Sequence, residues 1–333
     1  MTGAILRFWN AAIWRMVRLG HRVDFGWFLP FIARMPLPVA YALSGVRGRI
    51  NAMTGRDWRS MALGSRHIHR QSLAGYELLP ETGAADGKVR WGRQRFESEA
   101  RDEFEAGLVA AGRLNELSCE FVPPMAEALS AGRSRGLVLL TPHFDSFYLG
   151  IAFLAQAMGS RVNSMSSAVA RDPRVEPRVS QHFERKYRGL ERYLNGGQVL
   201  DMEIGLRPFY RMLEQSETLV VLADAPVLPN GVSMTVDFLG ARRVLAGGAL
   251  RMAQRTNSDL GGYVCRYKGQ GRYEIEMCQI GPANDPQTID QIYKFFSEQI
   301  LAQPGLWWAA DMLPNLPPAD DGPSDNGTAN DRN

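Results

Sequence analysis

His143 is the side chain best placed for acid–base chemistry. It stands in the block LVLLTPHFDSFYLG, after the apolar run Gly136–Thr141 and before a helical pattern. Imidazole titrates near neutrality and is the usual side chain for deprotonating a hydroxyl. Such a base works best with its second ring nitrogen held, most often by a carboxylate. Two carboxylates are candidates. Asp145 lies two residues on, and Asp224 follows a second apolar run, Thr218–Ala223. The bland alternative is that His143 only caps a helix or fills a polar pocket.

Other chemistries find little support. His67 and His69 are two apart and do not share a helix face, while His21 and His182 sit in charged helical stretches. The three cysteines, Cys119, Cys265 and Cys278, are far apart and form no C-x-x-C pair. No metal site is expected from these residues. Gly247-Gly248 lacks a Walker lysine, and Ser146 is not in a G-x-S-x-G elbow. The arginine-rich stretch 171–192, which includes Arg171 and Arg174, suits a phosphate group or a solvated helix face.

The elements that must position His143 follow from periodicity. Gly136–Thr141 and Thr218–Ala223 read as buried strands, and 160–167 as a weaker one. Helices are expected over about 91–112, 122–129, 146–158, 175–190, 208–215, 245–254 and 288–303, with a hairpin from 262–267 to 273–277. Asp237-Phe238-Leu239-Gly240, followed by Arg242 and Arg243, reads as a tight turn. Alternating strands and helices predict an α/β fold with a mostly parallel central sheet flanked by helices. Ligands bind such sheets at the carboxyl ends of the strands, where His143, Asp145 and Asp224 fall.

Composition sets the frame. The 333 residues are 45% apolar and 22% charged, which excludes a wholly disordered chain. Residues 1–60 carry nine arginines and two acidic residues, so a segment of +7 opens a chain whose formal net charge is only +3. From Ile5 to Arg22, an ideal helix gathers Arg7, Arg15, Arg18 and Arg22 opposite Ile5, Trp9, Ile13 and Met16. That is the pattern of an amphipathic, membrane-associated helix. Nucleic acid is the weaker partner, because apolar residues oppose the basic face and no polar groove is suggested. The arginines interrupt any secretory signal, and Arg34 with Pro30, Pro36 and Pro38 interrupts the next apolar stretch. The organisation expected is a membrane-anchoring segment over 1–45, an α/β domain over 46–316 and a disordered tail over 317–333, at the cytoplasmic face of the inner membrane.

Four features together resemble the bacterial lipid A biosynthesis (late) acyltransferases. They are the strand-to-histidine block, the block LVVLADAPVLPNGVSMTVDFLGARRVLAGGALRMAQRT, the ending QPGLWW, and the basic aromatic N-terminus. The resemblance implies transfer of a fatty acyl group from a thioester, carried on acyl carrier protein or coenzyme A, to a hydroxyl of a glycolipid or similar amphiphile. No cofactor is implied beyond that co-substrate. Arg171 and Arg174 correspond to basic positions that would bind phosphate or stabilise an oxyanion, and Tyr148 and Arg242 join them on the substrate-binding side. The family motif is a histidine, four residues, then Glu or Asp. Here that last position is Tyr148, a phenol whose reference pKa is about 10. Three readings follow: Asp145 or Asp224 replaces the carboxylate, His143 works without a strong orienter, or the chain is a non-catalytic lipid-binding or assembly relative.

Overall fold

The computed structural model describes residues 14–64, 66–80, 87–122, 134–167, 171–316 and 318–319. At its centre is an eight-stranded sheet. Its strands are β1 (Ser118–Phe121), β2 (Leu137–Thr141), β3 (Val162–Ser166), β4 (Val199–Asp201), β5 (Thr218–Leu222), β8 (Asp259–Gly269), β9 (Arg272–Met277) and β10 (Gly281–Pro282). The spatial order is β1-β9-β8-β2-β5-β3-β4, with β10 beside β8. Pairing is parallel except at the β8–β9 and β8–β10 ladders. The mostly parallel α/β architecture expected from the alternation is therefore present. A separate hairpin, β6 (Ser233–Phe238) with β7 (Ala241–Ala246), turns at Leu239-Gly240.

The principal helices are α1 (Leu37–Thr54), α2 (His67–Glu77), α3 (Gly87–Ala110), α4 (Phe147–Met158), α5 (Pro177–Glu191), α6 (Arg207–Glu214), α7 (Gly248–Arg255) and α8 (Pro286–Ala302). They cover both faces of the sheet, and β2 shows why. Successive strand side chains point to opposite faces. Leu137 and Leu139 join Phe104, Leu149 and Leu190 in one core, whereas Val138 and Leu140 join Phe209, Met252 and Ile292 in the other. A strand buried on both faces must be apolar throughout, as GLVLLT is.

The amphipathic expectation for the N-terminus needs correction. Residues 1–13 lie outside the described residues, and the described helical path runs on from 14 to 32 through a π-turn at Asp24–Phe28. Met16, Leu19 and Val23 are exposed beside Arg15, Arg18 and Arg22, so basic and apolar side chains share one outer face. The inner face carries His21, Asp24 and Phe25. The reason is electrostatic: Arg47 on α1 bridges Asp24 and Glu103 of α3, and Arg56 also reaches Asp24. These buried charges select the inward face ahead of hydrophobicity. Other expectations shift by small amounts. The 245–254 helix begins at Gly248 because β7 continues to Ala246. The expected 122–129 helix falls almost wholly, and the expected tail from 317 for all but residues 318–319, outside the described residues.

Candidate active site

Strands β2 and β5 are parallel neighbours with Thr141 paired to Leu222. Their carboxyl ends are therefore level, and the Ala223 amide donates to the Thr141 carbonyl at 2.9 Å. From β2 the chain passes beyond β5 to β3. From β5 it crosses back to β8 on the far side of β2. Such a divergence opens a crevice at the carboxyl ends, and His143 and Asp224 are the residues there.

Their geometry is that of a charge-assisted pair. His143 Nδ1 lies 2.7 Å from Asp224 Oδ1, and the His143 backbone N–H donates to Asp224 Oδ2 at 2.8 Å. The Trp307 indole Nε1–H donates to the same Oδ2, also at 2.8 Å. Asp224 is buried, while the His143 side chain keeps 25% of its surface exposed. Burial alone would raise the Asp224 pKa. The His143 charge, with hydrogen bonds from His143 and Trp307, outweighs it and holds the carboxyl below its ordinary range. With Nδ1–H donating to a carboxylate, Nε2 carries the free lone pair and is the basic atom (a tautomer assigned from the hydrogen bonds). Phe147 presents its ring to the imidazole at 5.5 Å, edge on.

Asp145 is placed differently. Its backbone is left-handed, with φ of 46°, which turns the buried carboxylate away to the Arg101 guanidinium, the Ser98 hydroxyl at 3.2 Å and the Tyr267 amide at 2.7 Å. Desolvation raises its pKa, with Arg101 and the Tyr267 amide opposing. Among the described residues the Asp145 carboxylate is bonded to these groups and not to His143, so the structure does not bring it to the imidazole. Nor does the structure bring Tyr148 to His143 among the described residues. It is buried on α4, donates to the Lys186 carbonyl at 2.6 Å, and lies under the Lys186 ammonium, which is paired with Asp102.

The arginines are spread out. Arg171 pairs with Asp201 at the end of β4, on the same sheet edge as His143 but beyond β3. Arg174 is exposed, bonded to Asp172 and the Ala62 carbonyl. Arg242 is exposed on β7, opposite Asp237. None is in contact with His143 among the described residues. Leu149 and Phe153 of α4 pack in the core, and Ala157 on the same helix is exposed. A cavity of about 560 Å³ lies beyond Asp145, with Arg90, Trp91, Gln94, Arg101 and Gln303 in its lining. Among the described residues no cluster of His, Cys, Asp or Glu could hold a metal ion.

In the sequence Trp307-Trp308 reads as a core or interfacial anchor, and the role of Trp307 as a donor was missed although the QPGLWW ending was a visible signal. Residues 304–306 form a 3-10 turn that delivers Trp307 to Asp224, and the next amide, Trp308 N–H, donates to the His143 carbonyl at 2.7 Å. The model of the bacterial lipid A biosynthesis acyltransferases matches residues 125–309, more than half of the chain. The chain belongs to the bacterial lipid A biosynthesis acyltransferase family. No curated protein sequence matches it significantly. The crystal structure of the 1-acyl-sn-glycerophosphate acyltransferase PlsC from Thermotoga maritima is similar at 10% identity and a TM-score of 0.34, over 80% of this chain and 96% of that one. In this member of the acyltransferase family, the carboxylate facing the histidine is carried at the end of β5.

Proposed function

We propose that this acyltransferase moves a fatty acyl group from a thioester donor, acyl carrier protein or coenzyme A, to a hydroxyl of a glycolipid or similar amphiphile. The observation that carries the reading is the 2.7 Å contact between His143 Nδ1 and buried Asp224. His143 Nε2 takes the proton of the acceptor hydroxyl as its oxygen attacks the thioester carbonyl. The tetrahedral intermediate then expels the thiolate, the C–S bond breaks, and the imidazolium returns the proton to sulfur. Asp224 keeps Nδ1 protonated and stabilises the imidazolium. The cavity beyond Asp145, where Glu97 and Asp145 balance Arg90 and Arg101 beside Gln94, Gln303 and Trp91, favours a hydroxyl-rich headgroup. Arg171 and Arg174 are the proposed docking points for a phosphate on lipid or carrier.

Attachment to the inner membrane at its cytoplasmic face belongs to the same proposal. Among the described residues no helix is long and apolar enough to cross a membrane. Trp27, Phe31 and Met53 are nonetheless 76%, 54% and 80% exposed, exposed Arg18, Arg22 and Arg49 lie on the same helices, and exposed Arg34 lies in the turn after Ile32. Aromatic and apolar side chains among arginines suit an anionic interface. Trp27→Ser/Phe31→Ser is expected to reduce sedimentation with anionic vesicles.

The deciding experiment is lipid mass spectrometry on cells with and without the protein, complemented by wild type or His143→Ala. An acylated species that returns only with wild type supports the reading, and its mass names the chain. Full rescue by His143→Ala refutes catalysis here and leaves a non-catalytic lipid-binding protein.

A further inference from the structure

We infer that Trp307 is a positioning residue for the His143–Asp224 pair: its indole N–H fixes the rotation of the Asp224 carboxylate so that Oδ1 faces the imidazole. The inference rests on the acyl-transfer reading for its kinetic consequences, and on geometry alone for the rest. A carboxylate has one soft torsion, about Cβ–Cγ, and its two oxygens are chemically equivalent until neighbours distinguish them. Here, among the described residues, Oδ2 receives two donors, the His143 amide and Trp307 Nε1, both at 2.8 Å, and Oδ1 receives only the imidazole. The His143 amide moves with His143 itself. Trp307 is the independent anchor, the one donor to Asp224 among the described residues that comes from outside β2 and its extension.

The anchor is itself fixed. Trp307 is fully buried, and Phe238 of the β6–β7 hairpin stands edge-on to it at 6.1 Å. Its own amide donates to the Pro304 carbonyl at 3.1 Å. Its neighbour Trp308 holds the other half of the pair, through the bond to the His143 carbonyl, and its indole N–H donates to Ser98 on α3 at 3.1 Å. Consecutive residues of one short segment therefore hold Asp224 by a side chain and His143 by a backbone amide. A tryptophan used only as core filler has no need to aim its N–H at the one carboxylate that faces the base.

The test removes the N–H and keeps the ring. Trp307→Phe, and the isosteric replacement of Trp307 by 3-benzothienylalanine, which exchanges N–H for sulfur at nearly constant volume, are made in wild type and in Asp224→Asn. Three results are expected. Turnover falls about 10- to 100-fold, the worth of one hydrogen bond to a charged group, with KM unchanged. The far-downfield Nδ1–H resonance of His143, read by NMR without substrate, broadens or is lost. In the Asp224→Asn background the Trp307 replacement costs little more, because the two residues act through one another. Equal losses in both backgrounds, or an unaltered Nδ1–H resonance in the benzothienyl protein, overturn the inference. Phe238→Leu loosens the packing of Trp307 but leaves its N–H, and should leave the resonance in place. Because the resonance needs no turnover, wild-type protein inactive on every donor and acceptor counts against the acyl-transfer reading, while the NMR comparison still decides the role of Trp307.

Discussion

Replacing Asp224 by Asn should abolish nearly all turnover while leaving the fold intact, and the structure gives both halves of that statement. An amide has one acceptor oxygen, and it must choose a side. On the Oδ2 side wait two donors, the His143 amide and the Trp307 indole; on the Oδ1 side waits only the imidazole. Turning the NH2 toward two donors leaves both unmet, at about 1–3 kcal/mol each. The amide oxygen therefore stays with the pair, and its NH2 faces Nδ1. The imidazole must then accept at Nδ1 and carry its proton on Nε2, the atom that has to receive the substrate proton. Restoring the other tautomer, together with losing the carboxylate that stabilises the imidazolium, adds about 4–6 kcal/mol to the barrier, or about 10³- to 10⁴-fold in rate. Folding is expected to change by no more than about 1 kcal/mol, because every donor around Asp224 keeps a partner except the one that switches role. The assay is single-turnover transfer from a radiolabelled acyl thioester, beside thermal unfolding of the same preparation. An Asp224→Asn protein that folds and keeps a tenth of wild-type turnover would refute the argument.

Other substitutions separate support from chemistry. Asp145→Asn should cost about 2–3 kcal/mol in thermal unfolding, because the largely buried Arg101 loses its principal counter-ion, and the folded fraction should keep turnover within a few-fold of wild type. Tyr148→Phe should cost about 1 kcal/mol, the bond to the Lys186 carbonyl, with transfer unchanged; a large loss of rate would return Tyr148 to the site. His182 is buried between Phe25 and Phe183, and desolvation, aided by the charges of Lys186 and Arg185, lowers its pKa from 6.5 to about 3. The unfolded chain therefore binds a proton that the native state refuses, and stability drops by up to about 1.4 kcal/mol per pH unit as pH falls from 6.5 toward 3. Unfolding curves of His182→Phe and wild type across that window should diverge in favour of the variant. A constant gap would show that His182 titrates alike in both states.

How much of this was legible depended on whether a feature was local. The strands β2 and β5 were readable because burial on both faces demands uninterrupted apolar runs, and the residues that end them placed His143 and Asp224 at one edge. The short strands β1 and β4 are three or four residues long and only partly buried, so they carry no comparable pattern. The β6–β7 hairpin was visible only as its Leu239-Gly240 turn, since its strands mix arginines with apolar residues. The inward face of the N-terminal helices was misread because Asp24 is drawn inside by Arg47 and Arg56, charges that arrive from elsewhere in the chain, and His21, one turn away, goes in with it. Between Asp145 and Asp224 the sequence could not choose. The choice was made by a left-handed φ at Asp145 and by an arginine 44 residues upstream of it, neither of which sequence spacing encodes.

The position of the carboxylate also accounts for Tyr148. In the family motif the acidic residue follows the histidine after four intervening positions, which in this fold is the first turn of α4. Its aim depends on how that helix docks. A carboxylate at the end of β5 depends instead on strand register, and Thr141 opposite Leu222 sets the two chain ends level with no helix involved. A carboxylate at 148 would instead be buried beside Asp102, and the two like charges would raise the cost of each other. Position 148 is then free to serve the core. There a tyrosine caps the Lys186 carbonyl and lays its ring against the Lys186 ammonium, 4.2 Å away. Tyr148 thus serves the core, and Tyr148→Glu should destabilise the protein without raising its rate.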